Sequence, residues 1–163
     1  VFDDIVNSNR SYAESFHLAG LDPSAARGLA VITCMDSRIE PLQMLGLAPG
    51  DAKILRNAGA RVTDDVLRTL VLAVHLLGVN RVCVVPHTGC RLIGASNEEL
   101  HTTIWERRGI DATAWDFLPI DDQFETLRVD IERIRACDLL PSDLAVAGFI
   151  YDVDTGQLHP TIA

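Results

Sequence analysis

The sequence predicts an α/β protein. The expected core is a central, mainly parallel four-stranded sheet with an antiparallel edge strand, helices on both faces and an N-terminal helical arm. Two observations carry the parallel sheet. Leu29–Thr33, Arg81–Val85 and Leu144–Tyr151 are near-continuous apolar runs, the mark of strands covered on both faces. Segments of helical period lie between these runs, which implies right-handed βαβ units. A third observation adds the edge. Asp154-Thr155-Gly156-Gln157 reads as a hairpin turn, so Leu158–Ile162 returns antiparallel.

Taken in order, residues 1–19 place Phe2, Ile5, Val6, Tyr12, Phe16 and Leu18 at roughly helical spacing, interrupted by Asn7, Ser8, Asn9 and Ser11. One or two short helices are expected there, too short to stand alone and in need of a partner surface. Gly20–Gly28, with Pro23, is a loop. After Leu29–Thr33 comes a short helix over Ile39–Leu45, with Pro41 in its first turn. Lys53–Arg56 is a second strand, followed by a tight loop at Asn57-Ala58-Gly59-Ala60. Thr63 caps the clearest helix, which carries Asp64 and Asp65 in its first turn and stops at Gly78. Leu67, Leu70, Val71, Val74 and Leu77 form its apolar stripe. A helix over Asn97–Arg108, with Asn97 as cap, follows Arg81–Val85. Residues 109–120 are irregular, and Asp121–Cys137 is helical. The whole reads as one domain, 1–163, with residues 1–27 as arm and loop and 28–163 as α/β core.

Bulk properties narrow the function. Fourteen Lys and Arg stand against 23 Asp and Glu, a net charge of −9, which argues against nucleic acid as a partner. No apolar run reaches the roughly 18 residues that span a bilayer. No signal-peptide pattern is visible in these residues. Four cysteines in 163 residues do not make a disulfide framework and fit a reducing, cytoplasmic compartment.

Chemistry concentrates at two strand ends. Val31-Ile32-Thr33-Cys34-Met35-Asp36-Ser37-Arg38 runs from a strand into a thiol, a carboxylate and a guanidinium. Val82-Cys83-Val84-Val85 runs into His87-Thr88-Gly89-Cys90. In parallel sheets, sites form at the carboxyl ends of strands. Cys34, His87 and Cys90 suit one zinc ion. Three protein ligands leave an open position, the catalytic pattern, while a structural site needs a fourth ligand, for which Cys83 and Cys137 are the candidates. Buried cysteines also occur as plain core residues. Asp36 two residues from a ligand needs a partner in a dry cleft, and Arg38 offers a bidentate one. Paired, Asp36 stays off the metal; freed, it could become a ligand. The alternative is a surface ion pair of little consequence. His75 and His101 read as solvated or packed helix-face histidines rather than proton shuttles.

These residues resemble the β-class carbonic anhydrases. Cys34-Met35-Asp36-Ser37-Arg38 matches the family's Cys-x-Asp-Ser-Arg motif. His87-Thr88-Gly89-Cys90 matches His-x-x-Cys, and Arg56-Asn57-Ala58-Gly59 its Arg-Asn-Ala-Gly segment. The resemblance spans roughly residues 28–152 and is nearest the short bacterial and archaeal members. It implies one zinc per subunit on Cys34, His87 and Cys90, with Asp36 and Arg38 as catalytic dyad. It also implies attack of zinc-bound hydroxide on carbon dioxide, giving bicarbonate and a proton, in a homodimer or dimer of dimers whose N-terminal helix embraces the partner. Hydrolysis of carbonyl sulfide or carbon disulfide on the same scaffold is an alternative, and so is a non-catalytic zinc protein. Three departures stand out. Cys90 is followed by Arg91-Leu92 where many members have Gly-Gly or Gly-Met. No Gln precedes the first strand as in plant-type members. No counterpart of the Trp–Arg–Tyr bicarbonate site is evident.

Overall fold

A computed structural model describes residues 1–162; the last residue of the expected domain, Ala163, lies outside the described residues. Its elements run α1 (Asp3–Glu14), β1 (Leu29–Cys34), α2 (Pro41–Met44), β2 (Ala52–Asn57), α3 (Asp64–Leu76), β3 (Arg81–Val85), α4 (Asn97–Arg108), α5 (Gln123–Arg135), β4 (Ala145–Tyr151) and β5 (Leu158–Ile162). A 3₁₀ turn, Ala58–Ala60, follows β2. The five strands form one sheet in the order β2-β1-β3-β4-β5. The first four are parallel and β5 is antiparallel, as expected. Pro160, which cannot donate to a ladder, sits on that edge strand.

Strand alternation divides the core. Ala30 and Ile32 of β1, Val82 and Val84 of β3, and Val146 and Ile150 of β4 meet Val66, Leu70 and Ala73 of α3 and Leu127, Ile131 and Ile134 of α5. Both helical sets recur at helical spacing, so each helix presents one stripe to the sheet. Burying a side chain such as Ile131 contributes on the order of 2 kcal/mol. Gly148 of β4 allows the closest approach of α5: a Cβ there would stand 2.7 Å from Ile131 Cδ1. The other face buries Val31, Cys83 and Val85, with Met44 of α2 and the adjoining Leu45 packed against them. An apolar groove of about 580 Å³ stays open on it, lined by Leu29, Leu45, Cys83, Ala147, Phe149 and Leu158 among others.

Several boundaries move. The first helix is a single one, and none of its residues is buried. Phe2, Ile5, Val6, Tyr12 and Phe16 are all exposed. The second is one turn, Pro41–Met44, narrower than Ile39–Leu45, because Glu40 ahead of the proline is extended and Leu45 already caps the far end. Thr63 caps α3 as expected. Asn97 does not cap α4. Ser96 does, in a capping box with Glu99. Asn97 instead donates to Asp116 and accepts from the Phe117 amide, which ties α4 to the irregular segment after it.

Candidate metal centre

Two neighbouring strands deliver the site. β1 and β3 pair in register from Leu29↔Arg81 to Thr33↔Val85, so Cys34 and the Pro86-His87 segment leave the same edge of the sheet. Thr33 Oγ1 donates to the Val85 carbonyl at 2.8 Å, locking the two strand ends together inside the core. His87 is held further by β4: the Thr88 amide donates to the Tyr151 carbonyl, and the Tyr151 amide to that of Pro86, both at 2.9 Å. The chain then turns through Gly89, at φ +64, to bring Cys90 back.

The ligand atoms of Cys34, His87 and Cys90 lie within 4.8 Å of one another, and all three residues are buried. His87 Nδ1 donates to the Thr88 carbonyl at 2.8 Å, so Nε2 is the nitrogen with a free lone pair. Nε2 is the buried side-chain polar atom that finds no hydrogen-bond partner among the described residues. A buried nitrogen without a hydrogen-bond partner, facing two thiols, fits a metal ligand. The donor set of two sulfurs and one imidazole fits zinc. Cys83 lies in the core cluster of the open face and Cys137 packs against the opposite one, so neither joins the group.

The electrostatics agree. A hydrogen bond from Cys90 holds the Cys34 thiol down to about 3 against the opposing effect of burial, helped by His87. Cys90 is pushed upward because Cys34 holds its proton, with burial adding to the rise. Metal-free, the pair keeps one thiolate. Burial works against a charge on His87, but the combined pull of Cys34, the Thr88 carbonyl and Asp36 raises it.

Asp36 and Arg38 stand beside this group. Arg38 Nε donates to Oδ1 at 2.9 Å and Nη2 to Oδ2 at 2.7 Å, a bidentate pair, while the Arg38 amide also donates to Oδ1. Nη2 reaches the Gly89 carbonyl at 3.2 Å as well, linking the two motifs. These hydrogen bonds hold the Asp36 carboxyl far below the usual range, against a small opposing effect of burial. Arg56 supports the same turn, donating to the carbonyls of Cys34 at 2.9 Å and Asp36 at 2.6 Å.

All five residues expected at the site therefore meet. Arg91 is exposed, and Leu92 packs on Cys34, Ile39 and Cys90, over Gly59. The helix-face histidines bond main-chain carbonyls, His75 that of Leu139 and His101 that of Trp115. Sequence reasoning missed Gln123, whose Nε2 donates to the His87 carbonyl at 2.9 Å. It also missed the Arg61–Asp130 ion pair at 2.7 Å, which anchors the loop after β2 to α5. Neither pair has a local signal, since each joins residues far apart in the chain.

A mainly parallel α/β sheet with a Cys₂His group that could hold a metal ion and a carboxylate–guanidinium pair at its carboxyl edge places the chain in the class of α/β proteins with a site at the strand ends. The family model for carbonic anhydrase matches residues 29–114. The chain is 33% identical to β-carbonic anhydrase 1 of Mycobacterium tuberculosis over 159 residues, 98% of this chain and 96% of that protein. A carbon disulfide hydrolase of Acidianus is also 33% identical, over 82% of this chain and 76% of its own. A crystal structure of carbonic anhydrase from Streptococcus mutans superposes with a TM-score of 0.92 at 41% identity, covering 98% and 96% of the two chains. This chain belongs to the β-class carbonic anhydrase family.

Proposed function

We propose that the protein catalyses the reversible hydration of carbon dioxide to bicarbonate and a proton, with one zinc ion per subunit held by Cys34, His87 and Cys90. The observation that carries this reading is the unpartnered, buried Nε2 of His87 facing two thiols. Zinc in a three-ligand site supplies the Lewis acidity that brings ionisation of water near pH 7, an effect for which carbonic anhydrases are the reference case.

The rest is done by the chain. Asp36, kept ionised by Arg38, is a pure acceptor and no proton store. It orients the proton of a hydroxyl group beside the site. Arg38 keeps it from turning toward the ligands. Ile39 and Leu92 back the thiolates with apolar surface, which strengthens the electrostatic interactions there.

The arm suits a second copy of the chain. Its unburied apolar side chains and the open groove are two surfaces without cover, and the fold supports a homodimer or dimer of dimers in which residues 1–19 pack on the partner. Four free thiols, two of them at the site, fit a reducing cytoplasm. No helix among the described residues is long and apolar enough to cross a membrane.

The test is stopped-flow carbon dioxide hydration on zinc-quantified protein at pH 7 and pH 8.5. Activity proportional to zinc is expected. A second substrate class is favoured by the carbon disulfide hydrolase relative. Turnover of carbonyl sulfide and carbon disulfide in the same preparation discriminates the two. Full zinc occupancy without turnover of any of them would make the chain a non-catalytic zinc protein.

A further inference from the structure

α5 reaches the metal site from outside it and also braces the loop after β2 beside it. Its buried stripe, Leu127, Ile131 and Ile134, seats the helix on the sheet. Asp130, 5% exposed, holds Arg61 and through it the loop after β2. At the opposite end, the first residue of the helix, Gln123, is half-buried and turns its side-chain amide onto the carbonyl of His87. That bond is a chain of consequences rather than a stray contact. The His87 carbonyl and the Thr88 amide belong to one peptide plane. Gln123 fixes one edge of this plane and the Tyr151 carbonyl the other. The plane leads directly into the Thr88 carbonyl, which accepts from His87 Nδ1 at 2.8 Å. The direction of Nε2 follows from that bond.

From this geometry we propose that Gln123 is a positioning residue for the metal ligand His87, aiming its imidazole through the main chain. The proposal rests on the reading of Cys34, His87 and Cys90 as the zinc site. Groups that orient a ligating histidine from outside are worth about 10- to 100-fold in metal affinity. One acting through a peptide plane belongs at the lower end.

Two substitutions separate aiming from packing. Gln123→Met keeps length, helix propensity and apolar contact and removes the donor. Gln123→Glu keeps the shape, sets an acceptor against an acceptor, and favours the helix N-terminus through its charge. Zinc affinity is measured by chelator competition on the whole chain, and thermal unfolding is measured on the metal-free form. The wild type taking up one zinc confirms the underlying site; no uptake by the wild type would defeat that reading instead. With uptake established, both variants are expected to bind zinc about 10-fold more weakly. The metal-free glutamate variant should unfold at or above the wild-type temperature. Cobalt-loaded variants should also show a shifted visible spectrum, which a packing role would leave unmoved. Affinity within twofold of wild type in both variants would overturn the proposal. So would a loss of metal-free stability that parallels the loss of affinity.

Discussion

Asp36 Oδ2 lies 3.8 Å from His87 Nε2, while the same carboxylate is gripped by Arg38 at 2.7 Å. The carboxylate therefore stands within a side-chain rotation of the ligand group and is held off by one guanidinium. Arg38→Ala should release it. Carbon dioxide hydration is expected to fall by about 10²-fold, the scale for misplacing a positioning group. Arg38→Lys keeps the charge but not the fork and should recover only part of that loss. Wild-type activity in either variant, with zinc content unchanged, would remove Arg38 from the mechanism.

Zinc uptake should carry protons with it. In the metal-free site Cys34 is ionised, its pKa held down to about 3, so its own proton is absent at neutral pH. Cys90 is pushed up and still protonated, and His87 is raised. Binding must displace the Cys90 proton and whatever share His87 holds. Groups with raised pKa values lose protons to the metal, so affinity falls as pH falls. The ligands should release about one proton per zinc above the titration of His87 and approach two below it, with the proton of water ionised near pH 7 counted in addition. Calorimetry in buffers of different ionisation enthalpy counts them directly. A pH-independent affinity between pH 6 and pH 9 would contradict this assignment.

Removing one ligand should empty the site without unfolding the chain. Cys90→Ser replaces a soft thiolate by a hydroxyl that zinc binds poorly. Cys90 sits in a loop outside the main core cluster, so circular dichroism should stay that of the wild type. Zinc content should drop well below one per chain and activity with it. Dipicolinate treatment of the wild type followed by zinc should restore activity, which the variant cannot match.

Legibility followed the range of the interactions. Cys34, His87 and Cys90 could be read because each follows a strand whose apolar run announces it, and parallel strands bring their carboxyl ends together. Asp36 and Arg38 lie two residues apart, so their pairing is local. The capping of α4 was misread by one residue because Ser96 and Asn97 are both good caps. The Glu99 partner at the third helical position decides for Ser96. Gln123 was invisible for another reason: a polar residue opening a helix looks like solvent-facing surface until the helix is docked. The same holds for Asp130, which lies inside a helix whose apolar stripe says nothing of an arginine 69 positions away.

That arginine pair should matter for stability more than its count among ion pairs implies. Arg61 and Asp130 are 14% and 5% exposed, and Arg61 also donates to the Leu118 carbonyl. Exposed pairs such as Arg68–Asp65 contribute about 0–1 kcal/mol. A buried pair behaves differently, because deleting one partner strands the other charge in a poor solvent. Asp130→Ala should cost about 3 kcal/mol of unfolding free energy, the low end of the range because Arg61 keeps some access to water. Asp65→Ala, the exposed control, should cost less than about 1 kcal/mol. Urea unfolding of the two variants side by side measures the difference. Asp130 anchors the loop that carries Gly59 under Leu92, so the first variant should also release zinc faster. Equal costs for the two substitutions would mean that the Arg61–Asp130 pair is solvated in solution and does not brace the metal site.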